Sequence, residues 1–265
     1  VSIWDDHEVQ NNYSGVTLKK TNPQKIKDAY QTFFEYIPIR ELDEKFRIYR
    51  NFKVGNLVEF FLIDGRQYRD EDVCDRGLNF ECTSKANIPG RTYLGQEQKK
   101  WLIDGITSSK AKWKFLGNNT VLMELAFLGN MINFDQWDGF YPEKEEFLKA
   151  LKENNIKNTI VLTGDAHTFM YGNVLYKGEK VATEFVDSAI TSGSSKTLMT
   201  YNLLVPIFIN HMNYINPFYR GYILADFSTR NLDVYFEAIS TVDNPDGERI
   251  HLNHFNIKSE SSFKK

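Results

Sequence analysis

The chain predicts an α/β fold built on a parallel or mixed sheet, and three observations carry that reading. Residues 142–163 run from a proline-opened helix through a short turn into the apolar strand Thr159-Ile160-Val161-Leu162-Thr163, which is half of a βαβ unit. The strand is apolar without alternation, as a strand covered on both faces must be. It feeds directly into Gly164-Asp165-Ala166-His167, so a carboxylate and an imidazole emerge at its carboxyl end, where open α/β sheets hold ligands.

With 265 residues, 42% of them hydrophobic and 25% charged, the chain can bury one substantial core and reads as one large domain or part of one. A net charge of −3 with no concentrated run of Lys and Arg argues against a nucleic-acid scaffold binder working by counterion release. The most apolar segment, residues 203–209, is interrupted by Pro206 and is far shorter than the ~20 residues of a membrane-spanning helix. The sequence opens at Val1 and enters a motif-like run at once, so an upstream portion is expected and a leader sequence would lie there. Cys74 and Cys82, close together in a polar loop, suit a local disulfide in an oxidising compartment; two free cytosolic thiols are the alternative.

Taken in order, residues 1–5 read as the tail of a strand that spills into Asp5-Asp6-His7-Glu8. Asn22-Pro23 pairs a cap with a first-turn proline, and Ile26, Tyr30, Phe33, Phe34 and Ile37 recur at helical spacing up to Pro38. Residues 46–52 and 57–63 are strand-like, and the second run ends in Asp64-Gly65-Arg66-Gln67-Tyr68-Arg69. Residues 95–108 form an amphipathic helix, and 113–128 a strand pair turned at Gly117-Asn118-Asn119. Strands follow at 169–176 and 183–190, then a hairpin at 222–236; residues 259–265 read as a frayed tail.

Two strand-end clusters offer chemistry. Asp165 and His167 supply an oxygen and an imidazole ligand, a mixture suited to hard or borderline cations, although alone they have a plain structural reading. Asp5-Asp6-His7-Glu8, followed by Asn11-Asn12, packs four ionisable residues after an apolar stretch, which is costly unless charge or water compensates. Together the clusters fit a multinuclear metal centre in which a metal-bound hydroxide attacks phosphorus and an uncoordinated histidine protonates the leaving oxygen. Arg66 and Arg69 suit bidentate phosphate contact or, more plainly, pairing with carboxylates. His211, His251 and His254 lack neighbouring ligands of matching spacing. Asp138 reads equally as pocket lining or as a structural turn.

The ordered series Trp4-Asp5-Asp6-His7-Glu8 with Asn11-Asn12-Tyr13, Asp64-x-Arg66-Gln67-Tyr68-Arg69, Arg91-Thr92-Tyr93-Leu94-Gly95 with Gln98 and Trp101, Trp137-Asp138-Gly139-Phe140, and Leu162-Thr163-Gly164-Asp165-x-His167 resembles the PhoD-like alkaline phosphatase family of the calcineurin-like metallophosphoesterase superfamily. The resemblance implies an αββα sandwich of two mixed sheets with its N-terminal part missing, residues 1–258 being a partial catalytic domain. It implies a secreted or periplasmic phosphomonoesterase or phosphodiesterase that depends on iron and calcium, other divalent metals being open. Asp6, Asp165 and His167 take the places of metal ligands and His7 that of the proton donor, with Asn12 a further ligand; Arg66 is expected, from its own chemistry, to contact phosphate. The family's first ligand motifs are expected upstream of Val1. A non-catalytic interaction module on the same fold is the alternative reading.

Overall fold

The computed structural model describes residues 1–74, 80–127, 129–193 and 209–260. Its strands are β1 (Arg50–Val54), β2 (Val58–Leu62), β3 (Trp113–Asn118), β4 (Ala126–Phe127), β5 (Asn130–Met131), β6 (Thr159–Thr163), β7 (Phe169–Tyr176), β8 (Glu179–Val186), β9 (Met212–Asn216), β10 (Arg220–Phe227), β11 (Asn231–Ile239) and β12 (Arg249–Lys258). The helices are α1 (Gly15–Thr21), α2 (Pro23–Tyr36), α3 (Phe80–Ala86), α4 (Gln96–Ser108) and α5 (Tyr141–Glu153).

Seven strands form one mixed sheet in the order β1-β2-β3-β6-β8-β7-β9, and β10-β11-β12 form a second. The neighbours β2, β3, β6 and β8 are mutually parallel, so their carboxyl ends share one edge of the large sheet. The unbroken apolar run of β6 follows from its two covered faces. Val161 joins Leu102 and Ile106 of α4 and Phe147, Leu148 and Leu151 of α5 in one core. Ile160, with Phe115 and Phe185, meets Leu232, Val234 and Phe236 of the small sheet in the other. Helices, large sheet and small sheet are thus three stacked layers. The small sheet is antiparallel in all its described pairings.

Several local expectations change. Gly117-Asn118-Asn119 turns no hairpin, because β3 is a central parallel strand. Asn118 and Asn119 cap its carboxyl end instead, donating to Thr120 O and Trp4 O and accepting from Trp137 Nε1 and Gly65 N. Residues 1–5 form no strand. Trp4 anchors them by stacking on Tyr30 of α2 at 4.2 Å, inside a cluster with Tyr13, Leu18, Ile26 and Phe33. The first strand of the pair read at 46–63 begins only at Arg50, and β12 is an additional ten-residue strand. Ser259 and Glu260, expected to fray, are tied by backbone bonds to Arg230 O and Asn158 Oδ1. Residues 203–208 and 261–265 lie outside the described residues. Cys74 and Cys82 are joined in a disulfide.

Candidate metal centre

Three loops meet at the shared carboxyl edge. The first is the turn after Trp4, where the Asp6 carbonyl accepts from Val9 N and Gln10 N and its Oδ2 accepts from Asn12 N at 2.8 Å. The second follows β2. Buried Asp64 shapes it by accepting from Trp4 Nε1, Arg66 N and Gln67 N, a side-chain-capped turn that projects Arg66 inward. Gly65 is required there, since a Cβ would stand 2.2 Å from Tyr93 Oη. The third follows β6, where Asp165 (φ 62°) and His167 (φ 51°) both adopt left-handed backbone, a conformation that needs support from the surrounding structure.

These loops bring Asp5, Asp6 and Asp165 together, with one oxygen of each within 4.8 Å of the others. Arg66, fully buried, holds two of the three in place. Its Nε donates to Asp5 Oδ1 at 2.6 Å, its Nη2 to Asp165 Oδ1 at 3.1 Å, and its Nη1 to Asp135 Oδ1 at 2.7 Å. Arg69 also donates to Asp135 and pairs with Asp72. Four carboxylates pair with two guanidinium groups and Asp6 adjoins them, an excess of negative charge. Burial, then the Asp5 charge, pushes Asp165 up to about 7 against the pull of Arg66. Burial likewise raises Asp5, while Arg69 and Arg66 overcome burial at Asp135 and hold its carboxyl below the usual range.

The donor set fits a hard cation. Asp165 Oδ2 and Asn12 Oδ1 are buried oxygens without a hydrogen-bond partner among the described residues, a costly state that a cation would relieve. Of the residues expected from sequence, Asp6 and Asp165 come together, and Asn12 stands beside Asp6. His7 is 70% exposed with Nε2 3.8 Å from Asp6 Oδ2, open to a ligand on the solvent side. His167 is outside the three-carboxylate group, its Nδ1 3.3 Å from Gly193 O. Arg66, expected at a phosphate, faces carboxylates. Asp138 is structural, accepting from Leu125 N and buried Lys144.

Sequence reasoning passed over Asp5 as a candidate ligand and Asp135 as the bridge between the arginines. The doubled Asp5-Asp6 was a signal for the first. Asp135 had none beyond its place in an aromatic, polar loop.

Fold and site together define an α/β protein with a cluster of oxygen donors at a sheet edge that could hold a cation. The particular family emerges from comparison, because residues 1–236 match the family described as PhoD-like phosphatase. The chain belongs to that family. Alkaline phosphatase D of Bacillus subtilis (strain 168) is 31% identical over 265 residues, covering 92% of this chain and 45% of that protein. A solved structure described as "Structure of PhoD" superposes with a TM-score of 0.84 at 25% identity, covering 97% of this chain and 52% of that one. The chain thus spans about half the length of the relatives it matches.

Proposed function

We propose that the chain is part of a metal-dependent hydrolase of phosphate esters, acting on monoesters or diesters. The observation that carries this is the convergence of Asp5, Asp6 and Asp165, with buried oxygens that lack hydrogen-bond partners among the described residues. Asp6, Asn12, Asp165 and His167 would hold the metals, with Asp5 as a further ligand. Bound there, metal ions would activate water as the nucleophile and neutralise charge on the phosphoryl oxygens. Carboxylate and amide oxygens suit calcium, and the imidazole suits a borderline ion such as iron.

The chain's own residues do the rest. His7, exposed beside Asp6, carries the proton to the leaving oxygen. Arg66 orients Asp5 and Asp165 so that their lone pairs converge, since its hydrogen bonds are committed to carboxylates rather than open to substrate. The membership of the phosphatase family and the name of the Bacillus relative support the substrate class. The Cys74–Cys82 disulfide supports an extracytoplasmic, oxidising location, and no helix among the described residues is long and apolar enough to cross a membrane.

The test is hydrolysis of an aryl phosphate by the full-length protein. His7→Ala is expected to lower turnover by roughly 10²-fold or more, and Asp165→Ala to abolish it. Unchanged rates in both variants would overturn the reading.

A further inference from the structure

The edge on which the carboxylates gather is braced by a residue outside the cluster. Asn119, 3% exposed, is the first residue past the end of β3, the strand that lies between β2 and β6. The register sets it level with the loops that follow both neighbours, since Gly117 is the partner of Leu62 and Asn118 that of Thr163. Its Nδ2 donates to Trp4 O at 2.6 Å, its Oδ1 accepts from Gly65 N at 2.8 Å, and its own carbonyl accepts from Gly164 N at 3.3 Å. The partners stand in three different segments, and each immediately precedes a member of the site: Trp4 precedes Asp5, Gly65 precedes Arg66, and Gly164 precedes Asp165. One side-chain amide and one peptide carbonyl thus tie together the backbones from which two carboxylates and their shared guanidinium project.

An amide suits this place because it offers a donor and an acceptor without a charge. An apolar side chain would leave the buried bonds to Trp4 O and Gly65 N unmade, at the full cost of desolvation. The guanidinium of Arg66 is a rigid fork, so it can reach Asp5 Oδ1 at 2.6 Å and Asp165 Oδ1 at 3.1 Å together only over a narrow range of backbone spacing. We propose that Asn119 is a positioning residue of the metal centre, setting the separation of Asp5, Arg66 and Asp165 and through it the affinity of the cluster for a cation. The effect on affinity rests on the hydrolase reading above, in which that cluster holds a metal; the effect on spacing does not. Asn118 gives the comparison. It is 4% exposed and caps the same strand, but its side chain bonds to Thr120 O, Thr163 Oγ1 and Trp137 Nε1, none of them adjacent in sequence to a cluster residue.

Hydrogen-exchange mass spectrometry and calorimetric calcium titration of the full-length, chelator-treated protein test this, each on wild type, Asn119→Ala and Asn118→Ala. In Asn119→Ala the amides of residues 5–13 and 64–69 are expected to lose protection, whereas those of 164–167 keep it, because the carbonyl that Gly164 uses survives any side-chain change. Calcium affinity is expected to fall roughly tenfold. Asn118→Ala is expected to loosen residues 134–140, where Trp137 loses its acceptor, and to leave the ligand loops and calcium affinity unchanged. If Asn119→Ala does not fold, Asn119→Ser, which keeps a polar group on the same Cβ, is expected to show the same pattern with a smaller fall. Wild-type protection of the ligand loops in the Asn119 variants, wild-type calcium affinity in them, or an equal loss in Asn118→Ala would overturn the proposal. A wild-type protein that takes up no calcium overturns the cation reading, and the exchange pattern still decides whether Asn119 sets the spacing.

Discussion

The carboxyl edge of the large sheet and the outer face of the small sheet use the same side chains to opposite effect. On the outer face, Asp233 meets His254 at 2.8 Å, and Glu237 meets Arg249 at 2.9 Å and His251 at 3.0 Å. Glu237 is itself buried, but its partners Arg249 and His251 are more than half exposed, so water screens the cationic side of those pairs. Hydrogen bonds, from Asn256 first at Asp233 and from Arg249 first at Glu237, hold both carboxyls below their usual values. At the sheet edge the Arg66 side chain is 0% exposed, and burial outweighs the arginine at Asp165. The depth of the cationic partner, not residue type, separates a surface network from a cluster that could hold a cation.

The comparison breaks most visibly at Arg66. Arg66→Met leaves Asp5, Asp135 and Asp165 without their shared cation, with an expected loss of about 3–5 kcal/mol in urea unfolding of the metal-free chain. Added calcium should restore part of that loss, since a cation then supplies the missing charge. Unchanged unfolding would mean that the cluster is not held by Arg66.

Packing beneath the Asp64–Arg69 loop is the next largest effect. Gly65→Ala drives a methyl against Tyr93 Oη and Asn119 Oδ1, with an expected cost of about 1–3 kcal/mol by the same measurement.

A smaller, graded effect follows pH. In the chelated chain the folded pKa of Asp165, about 7, stands above its ordinary 3.8. An acid raised on folding contributes stability that is full below the unfolded value and lost as pH rises through the folded one. Melting midpoints should therefore fall between pH 4 and about 7, and Asp165→Asn should flatten its share of the fall. Asp72 and Asp187, also raised to about 7 chiefly by burial, act in the same direction and keep the remainder. At the weak end, Asp233→Asn on the outer face is expected to leave the melting midpoint unchanged within error.

Much of this contrast was legible in the sequence, for identifiable reasons. The apolar β6 run gave a buried strand because both of its faces are covered, and Asn22-Pro23 gave the start of α2 because the asparagine side chain accepts from Lys25 N. Asp6 and Asp165 could be paired because each ends an apolar stretch in a ligand-rich turn. The Gly117-Asn118-Asn119 signal misled, because tertiary bonds to Trp4, Gly65 and Trp137 recruit those asparagines to cap a parallel strand. Arg66 looked like a substrate residue because a sequence shows its charge and not its three acidic neighbours. Asp135, 69 residues away from Arg66, reaches it only through the fold.

The central claim is that Asp5, Asp6 and Asp165 hold a cation, and calorimetric titration of calcium into the chelator-treated chain tests it most directly. The account predicts saturable binding to wild type, with proton release that grows as pH falls below about 7, and loss of binding in Asp165→Asn. Equal binding by wild type and a folded Asp165→Asn variant, or none by either, would contradict it.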